Sequence, residues 1–384
     1  MSAVADPHRR QLHETFETLC SIESPSGHER DCANWVASEL EAVGIAALQD
    51  DTAATTASDC GNLHALIPGR GSRSVMMCAH LDTVPLTARV EPVFRDGGWE
   101  NANPGILGAD NKAAVAVLIE LARILQATSE PPEVGLELVF TVSEEIGLRG
   151  AKAFDAGRLV SAVGFAFDHA SPLGEIVTAS PSHQRLTATI TGRAAHAGIR
   201  PQDGRSAIAA AAHGIAAMRL GRLDASTTAN VGTIAGGTAA NVVPEQCRLQ
   251  GEVRGLDEPS LQEALTSMVD ALQDAADAAE CDLDLELERM FDGYSTKPSL
   301  HAVQLAAGAL SDLGYQPKMI TSGGGSDVNA FRAAGFECVN LANGTERNHE
   351  PGERVSAESL EGGLALAGAL LQRAAAPTDQ GGLP

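Results

Sequence analysis

The chain has 384 residues, 44% of them hydrophobic and 20% charged, a balance that fits a soluble globular protein and excludes general disorder. Its 50 acidic against 27 basic residues give a formal net charge of -23, which opposes nucleic-acid phosphates and anionic membrane surfaces as partners. The length exceeds one ordinary hydrophobic core, so two domains are expected.

In chain order, MSAVADPHRRQLHETF has charges but no apolar targeting core. No run of about 18 apolar residues follows anywhere, and a cytoplasmic location is expected. HETFE lacks the second histidine of HExxH, so His13 reads as a helix-surface residue. RDCANWVASELEAVG is patterned as a helix, SVMMCAH as a strand, NKAAVAVLIELARIL as a helix, and GLELVFTVS and AVGFAFD as strands. This alternation predicts the α/β class, a sheet covered by helices. The 7 cysteines are scattered singly without CxxC spacing, which suggests neither a zinc knuckle nor a disulfide framework and fits a reducing compartment. Cys78, inside an apolar run, reads as a small core residue.

Ligands of such sheets bind beyond the carboxyl ends of the strands, so those ends are where chemistry is sought. His80 and Asp82 end the first of these strands, Glu144 and Glu145 follow the second, and Asp168 ends the third. The loop NPGILGAD delivers Asp110 at a helix start, and CVNLAN leads through GTERN to His349. Singly, each is explained as a cap or a loop residue. Together they supply what a pair of divalent cations needs: carboxylates, one of which can bridge, and two imidazoles. Asp82, on the same strand face as His80, could accept the other imidazole N–H. Of the adjacent glutamates, one can be a ligand and the other a proton-shuttling base.

The segments AHLDTVP, GADNKAA, VSEEIG, FDHAS and ERNHEP resemble the M20 metallopeptidases, especially the tripeptide-aminopeptidase-like members, over nearly the whole chain. The resemblance implies a mixed-sheet zinc-exopeptidase (phosphorylase/hydrolase-like) catalytic domain holding two Zn2+ ions, with Co2+ or Mn2+ able to replace them. It implies that His80 and Asp168 hold one ion, Glu145 and His349 the other, with Asp110 between them. Glu144 would be the general base and Asp82 the residue that orients His80. A cis peptide between Asp110 and Asn111 is also implied. FDHAS, with His169 as a rival ligand, and NHEPGERV depart from common family forms and bear on substrate preference.

Between these motifs, HQRLTATITGRAAHAG, DGRSAIAAAAHGIAAMRL, TANVGTIAGG, CRLQGEVRGL, PSLQEALTSMVDALQDAADAAE and DLDLELERMF follow the order β-α-β-β-α-β, predicting an inserted ferredoxin-like α+β domain. The expected division is a catalytic domain over 1–182 and 295–384 and an insert over 183–294, which the resemblance makes a lid and homodimerisation module. Within it, His196 reads as a turn histidine and Arg254 as a strand arginine; the resemblance makes them an oxyanion donor and a carboxylate clamp, and adds Asn241 as a substrate contact. TSGGGSDVNAF lacks the lysine of a phosphate loop, and Gly324 is implied to contact substrate through its main chain.

Neither a GxSxG elbow nor an early GxGxxG occurs, which leaves metal-assisted hydrolysis. The expected activity is a dinuclear zinc exopeptidase removing amino-terminal residues from short peptides. Two alternatives stay open: an N-acyl-amino-acid deacylase or carboxypeptidase with the same ligands, and an inactive binding protein.

Overall fold

The computed structural model describes residues 6–128 and 130–376. It divides into two compact units, one gathering the residues up to Thr178, Ser295–Thr321 and those from Ser326 onward, the other Ala179–Tyr294 with Ser322–Gly325. The fold class is that expected from the alternation of strands and helices, with a mixed sheet in the first unit and an α+β insert as the second.

In the first unit the sheet runs in the order Ala47–Gln49, Leu63–Ile67, Gly135–Thr141, Ser74–His80, Val163–His169, Glu337–Ala342, Glu175–Ser180. The four strands from Gly135–Thr141 to Glu337–Ala342 are mutually parallel, and the flanking pairs are antiparallel. Parallel strands are covered on both faces and read as unbroken apolar runs. GLELVFT is accordingly buried at every position. Its one charge, Glu137, is held by His64 Nε2 at 3.0 Å and by the N–H groups of Val160 (3.1 Å) and Ser161 (2.7 Å). Helix Ala109–Ala127, mostly apolar, is buried on almost its whole circumference, and its buried charges Glu120 and Arg123 pair with each other at 3.0 Å.

His13 does not lie on the helix surface. Its ring accepts from Trp99 Nε1 at 2.8 Å and stands 3.3 Å from Glu361, with only 19% of the side chain exposed. Its partners are 86 and 348 positions away, so helical periodicity held no trace of them. Cys78 is fully buried, and all seven cysteines are unpaired and buried. Among the described residues no helix is long and apolar enough to cross a membrane.

A smaller antiparallel sheet, in the order Thr345–Glu346, Arg354–Ser356, Gly98–Asn101, Pro92–Arg95, completes the first unit. It carries the loop 347–353 between its first two strands.

The second unit is an antiparallel sheet with helices Ala207–Ala217 and Glu258–Ala278. Its strand order is Gly221–Arg222, Thr227–Gly236, Gln246–Gly255, Ser182–Thr191, Asp282–Phe291. Side chains such as Leu186, Ile190, Leu249, Val253, Leu261 and Leu272 form its separate core. Asp257 caps the longer helix by accepting the Ser260 N–H at 3.0 Å.

Candidate metal centre

All four central parallel strands point their carboxyl ends at one place. His80 is the last residue of Ser74–His80, Glu144 and Glu145 lie just beyond Gly135–Thr141, and Asp168 is near the end of Val163–His169. His349 arrives on the hairpin that follows Glu337–Ala342. Asp110 stands at the start of Ala109–Ala127, where the chain turns through left-handed Gly108 (φ 80°) and the Asp110–Asn111 peptide is cis.

The side chains meet. His80 Nε2 lies 3.3 Å from Asp110 Oδ1 and 3.4 Å from Asp168 Oδ1. His349 Nε2 lies 3.2 Å from Asp110 Oδ2 and 2.9 Å from Glu145 Oε1. Three groups able to hold a cation result: His80, Asp110 and Asp168; His80, Glu144 and Glu145; Asp110, Glu145 and His349. They share members, and Asp110 reaches both histidines with different oxygens. His169, beside Asp168, belongs to none of them.

Cations fit this arrangement. Two atoms each about 2.0–2.1 Å from a tetrahedral zinc stand roughly 3.3–3.4 Å apart, whereas charge-assisted N–H···O bonds close to about 2.7–2.9 Å. Three of the four nitrogen–oxygen separations, 3.2, 3.3 and 3.4 Å, match the ligand edge better than the hydrogen bond. Asp110 Oδ1 and Glu145 Oε1 are also buried without a hydrogen-bond donor; the 2.9 Å contact from His349 to the latter is close but misaligned. A buried carboxylate oxygen left so calls for a positive partner.

Electrostatics agree. Burial lifts Glu144 well above the usual carboxylate range, and Asp168, Glu145 and Asp327 add to the effect. Burial likewise raises Asp168 to about 8, although His80 pulls the other way. His349 is raised to about 10 by Asp110 and Glu145. Burial would lower His80, but Asp168 and Asp110 raise it well above its ordinary value. Acids reluctant to ionise beside imidazoles reluctant to lose their protons are short of positive charge, which a metal supplies as it displaces protons.

Asp82 is fully buried and links the parts. Its carboxylate accepts the N–H groups of Glu144 (2.9 Å) and Glu145 (3.1 Å) and the Ser26 hydroxyl (2.6 Å). His80 Nδ1 is 2.9 Å from the Asp82 carbonyl and 3.5 Å from its Oδ1. A carbonyl only accepts, so Nδ1 carries a proton and Nε2 faces Asp110 and Asp168.

Four further residues of the site went unnoticed in the sequence. Asn340 grips the Asp168 main chain from the neighbouring strand, accepting its N–H and donating to its carbonyl, both at 2.9 Å. Glu29, fully buried, accepts the N–H of Ser143 at 3.0 Å and its hydroxyl at 3.2 Å, bracing a left-handed residue (φ 55°) beside Glu144. Asp327 accepts from Thr141 and, at 3.8 Å, from Cys78, leaving Oδ1 buried and unpartnered; burial raises its pKa to about 6. Glu353 accepts three main-chain N–H groups of the loop before Asp110.

In the second unit, His196 pairs with Val242 in an isolated bridge and Ala197 N–H donates to the Asn241 carbonyl at 3.0 Å, so these two expected residues share one edge. Arg254 forks onto Glu252 at 3.0 and 3.2 Å and donates to the Gly323 carbonyl at 3.5 Å, which brings it beside Gly324. A Cβ on Gly325 would stand 2.3 Å from the Phe291 ring, so only glycine fits there.

A family model described as a peptidase dimerisation domain, of the M20 type, matches residues 179–280, and a peptidase family M28 model matches residues 62–195. The solved structure of aminopeptidase PepT from Bacillus cereus is 34% identical, covering 96% of this chain and 99% of its own, with a TM-score of 0.82. A tripeptidase from Staphylococcus aureus is 29% identical over 96% of this chain and 98% of its own, with a TM-score of 0.87. Uncharacterized protein YqjE of Bacillus subtilis is 33% identical over 96% of this chain and 99% of its length. The chain belongs to the M20 metallopeptidase family and is similar to its PepT-like members.

Proposed function

We propose that the protein is a dinuclear zinc aminopeptidase that releases the first residue of tripeptides and other short peptides. The observation that carries this reading is the meeting of His80, Asp110, Glu145, Asp168 and His349, five side chains from distant segments, with their nitrogens and oxygens within 4.8 Å inside each group. In this reading His80 and Asp168 hold one ion, Glu145 and His349 the other, and Asp110 both. The donor set suits Zn2+, and also Co2+ or Mn2+. Cations bound there would polarise the scissile carbonyl and acidify a water.

Glu144 takes the proton of the attacking water on its carboxylate and returns it to the leaving amine. Burial raises the Glu144 pKa well above the usual carboxylate range, which favours the carboxylate's holding the proton between the two steps. Asp82 fixes the Glu144 and Glu145 main chain and the His80 tautomer. His196 of the partner subunit donates to the oxyanion, while Arg254, Asn241 and the Gly324 main chain contact substrate. The catalytic domain comprises 1–182 and 295–384, and the insert 183–294 forms the lid and the contact of a cytoplasmic homodimer.

The test is Glu144→Gln, assayed on Ala-Ala-Ala together with measured zinc content. We expect kcat to fall by about 10²–10⁴-fold with zinc retained. Near-normal kcat would exclude Glu144 as the base. Free alanine from the amino end, with N-acetyl and N-succinyl amino acids left intact, is the expected specificity; cleavage of the blocked substrates instead would transfer the reading to a deacylase.

A further inference from the structure

Glu353 lies four residues beyond His349, on the same hairpin, and is 1% exposed. A buried carboxylate normally finds a cation, and Glu353 has none within ion-pair distance among the described residues. It accepts main-chain N–H groups only: Leu107 and Gly108 on Oε2 at 2.8 and 2.9 Å, and Asp110 on Oε1 at 2.8 Å. Left-handed Gly108 turns the chain so that these N–H groups converge. Such bonds to a charged acceptor are the strong ones. The hairpin itself needs an anchor, because the His349 side chain is 49% exposed and its main chain is left-handed at φ 66°.

We propose that Glu353 is the positioning residue that fastens the His349 hairpin to the Asp110 loop, and thereby sets the affinity of the cation position shared by Asp110, Glu145 and His349. The claim rests on the metal-centre reading above. It deepens that reading by making one of the two positions depend on a residue that touches no ion. The position built from His80 and Asp168 also takes Asp110, but it has supports of its own in the Asp82 carbonyl and in Asn340, so it depends less on Glu353.

The chemistry of the cradle makes Glu353→Gln decisive. Both carboxylate oxygens face donors, so an amide must turn its NH2 group toward at least one N–H. The experiment is equilibrium dialysis of the full chain against buffered free zinc, reading zinc per chain, for wild type, Glu353→Gln, His349→Ala and the double variant. We expect wild type to hold two equivalents and Glu353→Gln to bind one of them about 10–100-fold more weakly, with the other weakened distinctly less. His349→Ala should lose the same equivalent, and the double variant no more than His349→Ala alone, since the two act through one position. At saturating zinc the kcat of Glu353→Gln should recover.

Wild-type affinity for both equivalents in Glu353→Gln overturns the proposal. So does parallel weakening of both, or additive loss in the double variant, each of which marks a general structural role. A wild-type chain that binds no zinc at all overturns the metal-centre reading itself, a result distinct from the others. Should Glu353→Gln not accumulate folded, Glu353→Asp, which keeps the charge but withdraws it by one methylene, is read against the same outcomes.

Discussion

Glu29 offers a perturbation whose outcome follows from which atom faces which. Its Oε1 accepts from Gly27 N–H (3.0 Å), Ser143 N–H (3.0 Å) and the Ser143 hydroxyl (3.2 Å), while Oε2 meets only the Ser58 hydroxyl at 2.6 Å. A hydroxyl can rotate from donor to acceptor, so Glu29→Gln can keep its oxygen on the three donors and give its NH2 to Ser58. Burial also raises the Glu29 pKa, which means the site disfavours the charge that glutamine removes. The expected cost is about 1 kcal/mol or less. Glu29→Ala instead strands two main-chain N–H groups at about 1–3 kcal/mol each, so roughly 2–6 kcal/mol is lost.

Alanine also frees left-handed Ser143 and the glutamates after it, and a misplacement of about 1 Å there is expected to lower kcat by roughly 10²-fold. Urea unfolding followed by circular dichroism measures the first effect and initial rates on a tripeptide the second. The pH dependence has a definite sign. A carboxyl with a raised folded pKa contributes stability fully below its unfolded pKa and loses it as pH rises through the folded value, so Glu29→Gln should gain on wild type as pH increases. Equal destabilisation by the two substitutions, or an alanine variant within about 1 kcal/mol of wild type, would refute the reasoning.

Gly108→Ala places a Cβ on a residue at φ 80° and should cost about 1–2 kcal/mol by urea unfolding, since the space around it is ordinary and the backbone carries the penalty. Glu252 is lowered to about 2 by His183 and Arg254, so its contribution is present above its ordinary value of 4.5 and is lost as pH falls toward 2. Glu252→Gln should flatten acid unfolding over that window; with 35% of the side chain exposed the effect stays under about 1 kcal/mol.

The ligand-type residues were legible because each pairs a chelating side chain with the end of an apolar run: SVMMCA before His80, LELVFT before Glu144, VGFAF before Asp168. Strand polarity then gathers them without further information. The residues that hold them were not legible, because a carboxylate accepting distant main-chain N–H or hydroxyl groups leaves no local pattern. Glu353 meets Asp110 across 243 positions, Asp327 meets Thr141 across 186, and Glu29 meets Ser143 across 114. His13 misled for the same reason, since helical spacing says which face a residue occupies and nothing about what arrives there later.

The order in which the chain supplies its chelating groups bears on its biogenesis. His80 to Asp168 leave the ribosome early, but the whole insert Ala179–Tyr294 must be made before the strand Glu337–Ala342 and His349 can follow. A nascent chain interrupted short of that histidine would carry a cluster of acids with half its nitrogen donors missing. The ability to cut peptides would thus be withheld until the segment carrying His349 has been made.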